Sequence, residues 1–224
     1  MGEGAEKRMK SHNDFLDNVM PHVPSANVDM ALLEIKNTII DFCEKSLILQ
    51  TTLDPVTAIE NLSDYDLEPP KDKKVTKILK GWYKGRELTP VSFDEINTPG
   101  AYNQNAPDAP IRYEDPRNVW QKDADTFSVY PIPNETLANA MTLVVALKPT
   151  RGTSSIDDVI YEDYAEIIAH GTLARMFMSH DKPYTDFKLA AARNALYVAG
   201  LNVARDRALK NYVRVSKHVK IRRI

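Results

Sequence analysis

The feature that most constrains this chain is the stretch of residues 157–211, helical in spacing on both sides of a single short break at 179–185. Before the break, Val159, Ile160, Tyr164, Ile167, Ile168, Gly171, Leu173, Ala174 and Phe177 recur mostly at three- and four-residue steps, which places them on one face of an α-helix. After it, from about Asp186, come Leu189, Ala192, Arg193, Leu196, Val198, Ala199, Val203 and Ala208, with enough alanines for another helix backbone to approach closely. A short break between two long helices makes an antiparallel hairpin, with Leu173 and Leu196 expected in its core. Asp157, Asp158, Glu162 and Asp163 crowd the start, and Arg205, Arg207 and Lys210 the finish, as the helix dipole favours.

A hairpin needs a third surface to cover it. After Pro24-Ser25, the residues Val28, Leu32, Ile35, Ile39, Phe42, Cys43 and Leu47 keep an apolar stripe that supplies one, and 51–55 ends it at Asp54-Pro55. The lone cysteine, Cys43, is read as a small core residue, since it has no partner for a disulfide. Between the helices the period changes. Residues 56–59, 65–67, 75–83, 86–88, 127–130 and 141–147 are short β-favouring runs set among most of the 14 prolines, with Lys84-Gly85 as a tight hairpin turn. Residues 98–125, rich in Pro, Asn, Asp and Gln, are expected to form a long loop.

The expected class is α+β: an antiparallel helical bundle of three to four helices, a small antiparallel β domain inserted into it, and an extended C-terminal arm. The expected boundaries are an N-terminal extension over 1–24 that orders only on contact, the bundle over 25–50 and 157–212, the β-rich insert over 51–156, and the arm over 213–224. In that arm Val213, Val215, Val219 and Ile221 alternate with Arg214, Ser216, His218, Lys220 and Arg222, with Lys217 on the apolar side and Arg223 and Ile224 at the end. A period of two means an extended segment, and beyond Asp206 there is no acid.

A net charge of -2 gives no global attraction to nucleic acid or to a membrane, and no apolar run approaches the roughly 18 residues that span a bilayer. The five histidines, His12, His22, His170, His180 and His218, form no zinc-type cluster. Glu166 and His170, four apart, are read as a helix-surface pair rather than a proton shuttle. The acids 157, 158, 162 and 163 are read as dipole partners rather than a catalytic set. There is no phosphate-binding glycine loop and no Gly-x-Ser-x-Gly. No enzyme activity, cofactor or metal is expected. Trp82, Tyr83, Tyr102, Tyr113, Trp120 and Tyr130, near Lys84, Arg86, Arg112 and Arg117, have the chemistry to stack on bases, but a packed sheet uses the same residues.

One resemblance adds to this. Residues 39–45 (IIDFCEK), Thr52-Leu53-Asp54-Pro55, Tyr65-Asp66-Leu67, Val129-Tyr130-Pro131-Ile132-Pro133, 144–149 (VVALKP) and 160–164 (IYEDY) resemble the head-to-tail adaptor proteins of tailed bacteriophages, including the tail tubular protein A type of podophages, over most of residues 25–210. The resemblance implies a structural virion protein, made in the host cytoplasm and held at the neck, that forms a dodecameric ring beneath the portal. Such a ring extends the channel for double-stranded DNA and gives the tail tube or nozzle protein its attachment surface. It also implies an arm, here Val213, Arg214, Val215, Lys217, Val219, Lys220, Ile221, Arg222, Arg223 and Ile224, that binds the portal protein, with neighbouring copies as the other partners and no membrane. The alternative is a nucleic-acid-binding module using the same basic arm, and the least favoured reading is a hydrolase acting through Asp157, Asp158 and Glu162.

Overall fold

The computed structural model describes residues 9–92 and 112–210, and the chain divides into two compact units. The first takes the chain up to Ile48 and again from Ser154, and the second is Leu49–Thr153.

In the first unit, β1 (Met9–Ser11), a 3-10 turn at His12–Phe15, α1 (Leu16–Val19), a second 3-10 turn at Met20–His22 and α2 (Val28–Ser46) precede the second unit. A short strand at Ser155–Asp157, α3 (Asp158–Phe177) and α4 (Phe187–Lys210) follow it. The three long helices all touch one another. Asn27 caps α2 by accepting from the Asp29 N–H at 2.8 Å, and Leu47, in the left-handed region at φ 56°, ends it. The stripe on α2 buries Ile35, Ile39, Phe42 and Cys43, while Val28 is exposed. Residues 9–23 pack within this unit, where the sequence suggested an extension that orders only on contact. Ser11 and Asp14 close a capping box, β1 pairs with Ser155–Asp157, and Phe15, Val19 and Val23 are fully buried. Phe15 meets Tyr161 of α3 edge-on at 5.0 Å, a partner far along the chain that no local pattern announces.

The second unit holds β2 (Gln50–Thr52), β3 (Val56–Ala58), β4 (Asp64–Asp66), β5 (Lys73–Tyr83), β6 (Arg86–Pro90), β7 (Asn118–Gln121), β8 (Thr126–Tyr130) and β9 (Leu137–Pro149), so that Ser155–Asp157 is β10. These strands form a half-barrel in the order β2-β9-β5-β6-β7-β8-β4, with β3 also on β9. The sheet is mixed, not purely antiparallel, because β6 and β7 run parallel at Thr89↔Asn118 and Pro90↔Val119. A parallel pair cannot be joined by a tight turn, and residues 91–117 separate β6 from β7 in the sequence. β7 itself lies inside the stretch read as loop. The β5–β6 turn has both Lys84 (φ 48°) and Gly85 (φ 76°) left-handed, the pattern of a two-residue hairpin whose twist matches its strands. Leu88, Val119, Phe127, Val129, Met141, Leu143, Val145 and Leu147 fill the interior.

Candidate interaction surface

The surface that stands out is on α4. Asp186 starts the helix, accepting from the Lys188 and Leu189 N–H groups at 2.9 Å each. Only Ala190, Tyr197, Ala204 and Ala208 are buried, a narrow stripe at steps of seven and four. Close packing explains the stripe. A Cβ on Gly171 of α3 would come within 2.7 Å of both Thr38 on α2 and the Tyr197 ring, and one on Gly200 within 2.7 Å of Ile167. The Tyr197 hydroxyl reaches past Gly171 to donate to Asp41 at 2.8 Å, and burial together with that carboxylate raises the phenol's pKa. Arg207 pairs with Asp163 at 3.0 Å and donates to the Tyr164 hydroxyl at 3.3 Å.

The rest of the helix circumference is largely apolar and open to solvent. Leu196 is 51%, Val203 67% and Leu209 70% exposed, with Phe187, Leu189 and Val198 also exposed. Leu189, Leu196 and Val203 are seven apart and form one line, the spacing with which a helix receives another helix. The expectation that Leu196 lies in the core is therefore wrong: the hairpin packs through alanine and Tyr197, and the larger side chains point away. Exposed apolar side chains lined up along a helix are the kind of surface at which proteins contact other molecules.

A cleft of about 380 Å³ lies between the N-terminal turns and the long helices, lined by Asp17, His22, Glu166, His170 and Arg193 among others. Arg193 donates to Nδ1 of His170 at 3.1 Å and approaches Nδ1 of His22 at 3.5 Å. Accepting from a guanidinium requires the imidazole to be neutral at that nitrogen, and burial, helped by Arg193 and His22 against the pull of Glu166, lowers the His170 pKa. Nε2 of His170 is 3.9 Å from Glu166, beyond hydrogen-bond range. Arg193 thus clamps the N-terminal turns to α3, a structural task.

The other residues singled out from sequence are dispersed. Tyr83, Trp120 and Tyr130 are buried in the sheet, Tyr113 is exposed, and Tyr102 lies outside the described residues. Lys84 pairs with Asp115 at 2.9 Å and with Glu135, and Arg117 with Glu114 at 3.4 Å. Tyr83, Trp120 and Tyr130 pack rather than present a stacking platform. Of the acids at the start of α3, Asp157 is buried, Asp163 is held by Arg207 and Glu162 is exposed. The arm from Val213 to Ile224 lies outside the described residues. Among the described residues, no group of three or more His, Cys, Asp or Glu is placed to hold a metal, and no helix is long and apolar enough to cross a membrane.

The fold is α+β, and its most conspicuous surface is the line of exposed apolar side chains on α4. Residues 19–217 match the family described as SU10 adaptor protein, so the chain belongs to that family of phage head-to-tail adaptors. The family's role is structural, at the virion neck and in contact with portal and tail proteins. The match covers both units and runs through α4 into the first residues of the arm. Among curated proteins no match is found.

Proposed function

We propose that this adaptor works as a ring, dodecameric in the assembled virion, seated beneath the portal, extending the DNA channel and offering its far side to the tail. The three long helices act as an antiparallel bundle and the Leu49–Thr153 unit as its β insert. The bundle bears on the portal and on neighbouring copies, and the arm Val213–Ile224 reaches into the portal protein. The observation that carries this reading is the exposed apolar face of α4, which leads directly into the arm. α4 buries four of its 24 residues against its own chain, and a neighbouring copy or the portal covers the exposed apolar side chains.

The test mixes the purified protein with the portal protein of its phage and images the product by negative stain. One ring of adaptor is expected on each portal, and light scattering of the adaptor alone at micromolar concentration and physiological salt, where surface charges are screened, should report a monomer. Leu196→Glu with Val203→Glu should melt like the wild type and fail to dock. A wild-type protein that leaves the portal bare overturns the reading.

A further inference from the structure

β5 carries two register shifts against β9, between Val75 and Lys77 and between Ile78 and Lys80. Each bulge adds a residue on one strand, so the usual alternation of faces becomes a repeat of three. Val75, Ile78 and Gly81 turn inward, and Lys74, Lys77 and Lys80 all turn outward. Opposite them on β9 lie Lys148, Ala146 and Val144, which add no acid. Asp72 and Glu87 stand only at the two ends of the row. Lys74, Lys77 and Lys80 are exposed and form no ion pair with any described residue. A row of like charges on a sheet face is unfavourable by itself.

The opposite sign gathers on β4, reached from β5 through β6, β7 and β8. Asp64 is already committed, accepting from Lys122 and Ser128 at 2.6 Å each. Asp66 and Glu68 are exposed and free of ion pairs. The Leu67 N–H donates to the Asp125 carbonyl at 2.7 Å, which holds Asp125 and its neighbour Asp123 beside them. Within one chain, three intervening strands keep the two flanks apart.

We propose that the lysine flank of the β unit in one copy mates with the acidic flank, Asp66, Glu68 and Asp125, of the next copy. The inference rests on the ring reading and names the contact that orders the ring. A head-to-tail contact sets the lysine flank of each copy on the acidic flank of the next, and such contacts generate a ring when the rotation between copies closes.

The experiment uses the full chain in two variants, K74E/K77E/K80E and D66K/E68K/D125K, studied alone and mixed one to one by sedimentation velocity at low and high ionic strength. The wild type should self-associate at low salt and lose this at about 0.5 M, where screening shortens to a few ångströms. Each variant alone should lose at least about tenfold in association, because each carries one sign on both flanks, and the mixture should recover it. Thermal melts should be unchanged, since all six positions are exposed. A wild type that stays monomeric at low salt, a variant that associates as well as the wild type, or a mixture that stays monomeric overturns the proposal. Loss of duplex-DNA binding by K74E/K77E/K80E with self-association intact also overturns it, by making the row a phosphate-binding surface. Portal docking of the wild type is scored separately: docking without complementation sinks only this inference, and complementation without docking sinks only the ring-on-portal reading.

Discussion

Gly171 is where three helices come within reach of one another, and no larger residue fits there without displacing Thr38 or Tyr197. Helix propensity alone would favour alanine by about 1 kcal/mol. The Tyr197 ring, however, is tethered by its bond to Asp41, so the added methyl has no easy escape. Gly171→Ala is therefore expected to destabilise by about 1–3 kcal/mol in denaturant titration, and Tyr197→Phe, which unties the ring, should reduce that penalty in a double-mutant cycle. His12 makes a second prediction. Burial, with Lys36 nearby, lowers its pKa to about 4, and its Nε2 is buried without a hydrogen-bond partner among the described residues. A histidine with a depressed folded pKa favours the native state fully above its unfolded value of 6.5 and loses that contribution as pH falls through about 4. Across that window the wild type should lose on the order of 2 kcal/mol more than His12→Gln. Denaturant titrations of both proteins at pH 7 and pH 4.5 give the difference, and parallel curves would remove His12 from the account.

At the scale of elements, α3 and α4 differ although both read as apolar helices. Leu173 of α3 is fully buried, so Leu173→Ala should cost about 2–5 kcal/mol, whereas half-exposed Leu196→Ala should change the monomer's stability by less than about 0.5 kcal/mol. Thermal melts of the two variants check this. The ends of both helices were legible because Asp157, Asp186 and the basic last turn of α4 are local signals. Which side of α4 faces inward was not, because its apolar residues surround the helix and the choice was made by Gly171, Gly200 and Tyr197 acting across the hairpin. β5 was found as a strand for its Val and Ile, yet its lysine row stayed hidden, since a period of three appears only once two bulges are in place. β7 was lost in a polar stretch because Val119 and Trp120 owe their strand to β6 and β8 rather than to their neighbours in sequence. The adaptor character was legible from several short structural runs, whereas the apolar face of α4 needed the fold.

For the molecule as a whole, α4 is described as far as Lys210, and residues 213–224 follow it in sequence. Removing residues 213–224 is expected to leave the melting temperature within about 2 °C of the wild type, as for a surface change in a domain of this size, while docking on the portal is lost. Changing Arg214, Lys217, Lys220, Arg222 and Arg223 to Gln should slow association and flatten its salt dependence more than it alters the final complex, which stopped-flow binding at two salt concentrations reads directly. Unchanged docking by the truncated chain would move the portal contact to α4 itself. The division of the first unit into two stretches of sequence also has a consequence for synthesis. When α2 has left the ribosome with Ile35, Ile39 and Phe42 uncovered, the whole of Leu49–Thr153 must be translated before α3 and α4 exist to meet them. At ordinary elongation rates that is a wait of roughly 5 to 20 s. The yield of folded chains should therefore follow how α2 is sheltered during those seconds more closely than it follows the stability of the finished protein.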